Sequence, residues 1–139
     1  MKEISEIDKI FKFGTTYLNN DFKRYGRIFI HTNENLKEYV PDLTDKRVLT
    51  VSSSGDQLLN IMGRGCLKID TFDINYFSPI YQMIKMYAVR YLSIEDSYVY
   101  LDELSKNLYY KFHTNLPKKE REVFDYLYDN HKLEDIKFY

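Results

Sequence analysis

Apolar residues change period along this chain, and the changes mark out the elements. The run Val48-Leu49-Thr50-Val51 is rich in β-branched residues and too short for a helix, so it predicts a buried parallel strand. A polar turn, Ser52-Ser53-Ser54-Gly55-Asp56, leads into a short helix over residues 57–62, with the serines and Asp56 as its capping groups. Gly63 and Gly65 offer the left-handed turn that ends this helix, and residues 68–74 return as a second strand. Then Ile80, Met83, Ile84, Tyr87, Ala88 and Tyr91 repeat at helical spacing, behind Ser78 as cap and Pro79 in the first turn, predicting a helix to Leu92.

Two further helices follow from the same logic. Ser93 and Asp96 stand at capping-box spacing before a helix to about Leu104, and Pro117 opens a last one through about Asn130 with Val123, Phe124, Leu127 and Tyr128 on one face. Residues 106–115 carry no clear period. Ahead of the first strand, Ile4, Ile7, Ile10 and Phe11 predict a short amphipathic helix over residues 5–12. Asn19-Asn20-Asp21 marks a loop, residues 25–30 read as extended, and Thr32 or Asn33 can cap a helix over residues 34–39 that stops before Pro41.

The strand–turn–helix–strand unit is where chemistry concentrates. Gly55 can take backbone angles closed to other residues and lets a ligand approach the main chain. The carboxyl end of such a strand, beside a helix N-terminus, is where open α/β folds place ligands. Asp73 follows Gly55 by eighteen residues and ends the second strand. That is close to the ~20-residue spacing at which an acidic side chain accepts hydrogen bonds from a ribose hydroxyl pair. The alternative for Asp73 is a strand-end carboxylate capping the next turn. A third assignment, an NAD or nucleotide domain, is disfavoured because the three-glycine pyrophosphate turn is absent.

The strings VLTVSSSGDQLLN and IDTFDIN resemble motif I and the acidic post-motif of class I S-adenosylmethionine-dependent transferases. The likeness spans roughly residues 25–95 and is greatest to the branch containing the 3-amino-3-carboxypropyl transferases of betaine-lipid synthesis and their uncharacterised bacterial relatives. It implies a Rossmann-like fold, S-adenosylmethionine as cofactor, and methyl or aminocarboxypropyl transfer. Carried onto this chain, it implies that Ser53, Ser54, Gly55 and Asp56 hold the methionine end, Asp73 the ribose, and Ile74 with Asn75 the adenine. Tyr25, Thr32 and Glu34 become candidate lid contacts, against the plain alternative of capping and turn chemistry. The motifs are specific for cofactor class and poor for substrate.

Composition narrows the function classes. Twenty Lys and Arg against 21 Asp and Glu leave a net charge of −1, so no broad basic surface for nucleic acid is expected. The single cysteine and three scattered histidines exclude an internal disulfide and make no metal site. No stretch reaches the ~20 apolar residues of a membrane span, and a reducing, cytoplasmic setting fits. Fourteen tyrosines and nine phenylalanines with no tryptophan imply core packing by amphipathic rings, or a stacking surface for a base.

The expected architecture is therefore α/β: one domain over residues 1–139, with a helical and lid segment at 1–44, a cofactor-binding unit at 45–92 and a helical segment at 93–139. The 66 residues after Asp73 read as almost wholly helical, with no third strand evident. Two strands leave edges and an apolar sheet face to be covered. The chain is then the N-terminal portion of a longer transferase, or it associates with itself, most simply as a homodimer, or with another subunit. The competing function is a non-catalytic scaffold, a shortened relative acting through oligomeric or partner contacts.

Overall fold

The computed structural model of the chain describes residues 27–133 and 136–138. The expected helix at residues 5–12, the loop at 19–21 and Tyr25 lie outside the described residues. The described chain is a mixed α/β structure with six helices and parallel strand pairs. In order these are β1 (Arg27–Ile28), α1 (Leu36–Tyr39), β2 (Arg47–Val51), α2 (Asp56–Met62), β3 (Lys68–Phe72), α3 (Ser78–Tyr91), α4 (Ile94–Glu103), α5 (Lys106–Phe112), α6 (Lys118–Asp129) and β4 (Lys137–Phe138).

Strands β2 and β3 pair in parallel, with Val48 opposite Ile69, Thr50 opposite Thr71 and Val51 opposite Phe72. Ser52 extends the ladder by donating its N–H to Phe72 O at 2.8 Å. A tight turn cannot join parallel neighbours, so the connection needs a crossover, and α2 supplies it. The two strands alternate between a half-buried face and an exposed one. Val48, Thr50, Ile69 and Thr71 point inward, while Leu49 is 70% exposed, Val51 40% and Phe72 56%. The expectation of a buried strand is therefore corrected: among the described residues only one face has helices on it. The other carries Leu49, Val51 and Phe72 together with Arg47, Lys68 and Asp70.

A second parallel pair corrects the helix-only reading of the C-terminal half. β1 lies beside β4, with Arg27 opposite Lys137 and Ile28 opposite Phe138. Strands of two residues are too short to carry a period of two, so periodicity could not reveal this pairing. It brings Ile28 and Ile136, both buried, to the edge of the core.

The main core belongs to the helices. Phe77, Ile80, Tyr81 and Ile84 at the head of α3 meet Tyr100, Tyr109, Phe112 and Phe124 from α4, α5 and α6, all almost wholly excluded from solvent. Phe77 stacks on Phe124 at 5.7 Å between ring centroids, and Tyr109 lies 4.7 Å from Tyr128. Among the described residues packing is thus what most of the large aromatics do. Two buried tyrosine hydroxyls donate inside the core, Tyr128 to Leu104 O at 2.7 Å and Tyr109 to Asp125 Oδ1 at 2.9 Å.

Helix boundaries follow local chemistry. Ser93 Oγ accepts from Asp96 N at 3.1 Å, as its spacing predicts, and α4 stops where Leu104 turns left-handed. Ser78 is the first residue of α3 and not its cap; Asn75 Oδ1 instead accepts from Phe77 N at 2.9 Å. The ambiguous residues 106–115 form α5 and then a 3₁₀ turn at His113–Asn115. At the end of α2 only Gly65 is left-handed (φ +76°), whereas Gly63 stays right-handed. The helix expected at 34–39 shrinks to the four residues of α1.

Candidate functional site

The β2–α2 turn is a tight polar loop built around one glycine. Gly55 sits at φ +81°, in the left-handed region that side chains with a Cβ enter at a cost. A Cβ there would lie 3.4 Å from Gln82 Cγ and 3.5 Å from Lys85 Cδ, so α3 packs close against the loop. Ser53 is also left-handed, at φ +43°. The loop bonds to itself: Gly55 N–H donates to Ser52 O at 2.7 Å, and Asp56 N–H makes a longer contact to Ser54 Oγ at 3.3 Å. Ser52, Ser54 and Gly55 are buried; Ser53 and Asp56 are partly exposed.

Asp73 lies just beyond β3 and reaches across to this loop. Its Oδ2 accepts from Ser53 N at 2.9 Å and its Oδ1 from Asn75 N at 2.8 Å. The carboxylate therefore fixes the left-handed Ser53 and starts the turn after β3. Both oxygens keep further lone-pair capacity, since an ionised carboxylate offers about four acceptor positions. Asn75 then caps Phe77, and Ile74, 70% exposed, stands on the rim of the same strand ends. Ser53, Ser54, Gly55, Asp56, Asp73, Ile74 and Asn75 thus gather at the carboxyl ends of the two strands.

Asp56 has a different role from the one its position suggests. It is the first residue of α2, and the cap position is held by Gly55 without a side-chain bond. The Asp56 carboxylate instead makes a 2.6 Å ion pair with Lys85, whose side chain is 2% exposed. Lys85 Nζ also donates to Ile30 O at 2.6 Å and to Ser54 O at 3.2 Å, so three acceptors take its three protons. Burial pulls the Lys85 ammonium below the ordinary lysine value, and Asp56 pulls it back up. The same carboxylate is the second cause, after burial, that pushes the Tyr81 hydroxyl above the usual tyrosine range.

Residues 30–34 lie over this pair as a strap. Thr32 N–H donates to Asp56 Oδ2 at 2.7 Å, and Glu34 Oε2 accepts from Gln57 Nε2 at 3.4 Å. Thr32 does not cap α1, which begins at Leu36 behind Asn35; its hydroxyl accepts from Glu34 N at 3.2 Å instead. Both described lid candidates therefore touch the loop, through Asp56 and Gln57. Tyr25 lies outside the described residues.

Lys85 and Gln82 escaped the sequence reading. They are a lysine and a glutamine on a helix otherwise read by its apolar stripe, and both are buried. Four residues on from Tyr81 and three before Ala88, Lys85 falls on a buried face, and a charge there was the available signal. Gln82 Nε2 donates to Thr71 Oγ1 at 3.2 Å.

Among the described residues no group of His, Cys, Asp and Glu is placed to hold a metal ion, and no helix is long and apolar enough to cross a membrane. No protein-family model, no curated protein and no solved structure matches the chain.

Proposed function

We propose that this chain is the S-adenosylmethionine-binding part of a transferase with a Rossmann-like βαβ unit, moving a methyl or 3-amino-3-carboxypropyl group. One observation carries the reading: a positive-φ glycine turn at the end of β2 faces a carboxylate, Asp73, at the end of the parallel neighbour β3. That combination puts close backbone approach and an acidic acceptor at one edge of the sheet.

The residues fit such a ligand in part. Asp73 keeps acceptor capacity for a ribose hydroxyl pair beyond its two backbone donors. Exposed Ile74 offers an apolar flank to a purine ring. Gly55 itself is buried, with Gln82 and Lys85 filling the side that a Cβ would take. The amides of Gly55 and Asp56 already have acceptors inside the loop, so the methionine end would have to displace those bonds. The cofactor's sulfonium supplies an electrophilic carbon, and the protein's share of the work is then positioning.

A thermal-shift panel of S-adenosylmethionine, S-adenosylhomocysteine, NAD and ATP tests the reading. A ligand at 100 times its dissociation constant adds about 2.7 kcal/mol. For 139 residues that is a rise of about 9 °C. A rise with the first two ligands is expected; stabilisation by NAD or ATP alone would reassign the site.

The second reading, a scaffold working through oligomeric or partner contacts, is favoured by a separate observation. Among the described residues, Leu49, Val51 and Phe72 stand exposed together on one face of β2 and β3, beside Arg47, Lys68 and Asp70, with exposed Ile74 just beyond. Exposed apolar patches of this kind mark association surfaces, and a homodimer is the simplest closed arrangement.

A further inference from the structure

We propose that Lys85 and Asp56 form a buried ionic latch, and that residues 30–34 open off the β2–α2 turn as one unit when this latch breaks. Among the described residues the strap has little else to hold it. His31, Asn33 and Glu34 are exposed, Ile30 and Thr32 are half-buried, and the fully buried side chains flanking the strap are Ile28 before it and Leu36 after it. Its direct ties run to the pair: Ile30 O to Lys85 Nζ at 2.6 Å and Thr32 N to Asp56 Oδ2 at 2.7 Å. The Glu34–Gln57 contact at the rim is long, 3.4 Å, and exposed.

The chemistry makes the release all-or-none. Lifting the strap removes one of the ammonium's three acceptors and one of the carboxylate's donors, and either loss leaves a buried charge short of partners until water enters. Partial lifting is therefore worse than either end state. The same ion pair fixes the turn, because Lys85 also holds Ser54 O and Asp56 holds the Ser54 hydroxyl at 3.0 Å. One pair thus reads the state of the strap and the shape of the turn together. If the turn receives the cofactor, the open strap is the state that exposes it; that consequence rests on the function proposed above, whereas the latch does not.

Residue-resolved hydrogen exchange on the full chain tests the latch without any ligand. In Asp56→Asn and Lys85→Met, exchange at Thr32, the strap amide bonded to Asp56, should rise on the order of 100-fold for loss of a charge partner, while Glu34 and Leu36, bonded within the unit to Thr32 Oγ1 and Glu34 O, should not follow it. Ser52, bonded to Phe72 O, and Ser53, bonded to Asp73, should keep their protection. Unchanged exchange at Thr32 in both variants overturns the latch, and so does an equal rise at Ser52 and Ser53, which would mean the whole unit had loosened. If neither variant folds, the wild type decides. Under low urea the Thr32 amide must open before the α4 amides; an opening that coincides with theirs overturns the proposal. S-adenosylhomocysteine titration of the same samples fails or succeeds separately, so the cofactor reading and the latch fall independently.

Discussion

Asp73→Ala separates two roles that one carboxylate holds. The side chain accepts two backbone N–H bonds, from Ser53 at 2.9 Å and Asn75 at 2.8 Å. Hydrogen bonds to a charged acceptor contribute ~1.5–3 kcal/mol each, and these two are half-buried, so the lower half of that range applies. Alanine also leaves Ser53 at φ +43° without the bond that holds it there. For the two bonds the expected loss is about 3–4 kcal/mol. With an unfolding entropy of about 2.1 cal/mol/K per residue, the midpoint drops by about 10–14 °C. Asp73→Asn keeps one acceptor oxygen and should lose about half as much. The assay pairs urea denaturation with calorimetric titration of S-adenosylhomocysteine on the folded Asn variant. A stability change below about 0.5 kcal/mol in the Ala variant, the size of an ordinary surface substitution, would refute the clasp. Unchanged affinity in the Asn variant would refute the ribose assignment and leave Asp73 as a turn cap alone.

Three further outcomes follow from other parts of the molecule. Gly55→Ala should cost about 1 kcal/mol in urea denaturation, since the added Cβ meets ordinary 3.4–3.5 Å contacts and only the backbone angle is strained; Gly55→Val should cost roughly 3 kcal/mol, as its branches press on Gln82 and Lys85. Burial raises Tyr81, Tyr100, Tyr109 and Tyr128 above the ordinary tyrosine value of 10.0. The unfolded chain therefore loses these protons first, and their contribution to stability is full below about pH 10 and falls as pH rises above it. Tyrosinate absorbance from these four should appear together with loss of helical circular dichroism, and their ionisation in a still-helical protein would contradict the burial. Finally, light scattering at micromolar concentration should show a dimer that Phe72→Glu converts to a 16.8 kDa species; a wild type already at that mass removes the outer sheet face as an association surface.

What the sequence disclosed tracks the range of each interaction. Elements defined by neighbours a few residues apart were legible: β2, α2 and β3 fall within a residue or two of their expected bounds, and Ser93 caps α4 as its spacing to Asp96 requires. So was the left-handed Gly55, because a strand leading directly into a helix needs a sharp turn. Contacts made at long range were not legible. The β1–β4 pair joins residues about 110 positions apart and has no pattern of its own. The Lys85–Asp56 pair spans 29 residues, and nothing local announces that Asp56 would face a buried lysine and not its own helix. Thr32 was readable as a cap by type, yet α1 begins only at Leu36, and the tertiary contact of the Thr32 amide with Asp56 had no local signal. For the candidate site, the sequence located the strand-end residues but not the two α3 side chains packed behind them.

Helix α3 explains why those two residues matter to the rest of the chain. One face, carrying Phe77, Ile80, Ile84 and Ala88, is sealed into the core made with α4, α5 and α6. An adjoining face carries Gln82 and Lys85 onto Thr71, Ser54 and Asp56. A seven-residue helix such as α2 cannot hold a loop in place by itself, since isolated helices of that length are marginal in water. The turn is held from behind by α3, and α3 is held by the aromatic core. Lys85 is where the two meet: its ammonium is anchored in the site and its stem runs along the wall against which Gly55 packs. The geometry of the β2–α2 turn therefore depends on the C-terminal helices as directly as on its own glycine, so a substitution that loosens the core around Tyr100 and Phe112 acts on the candidate site through α3.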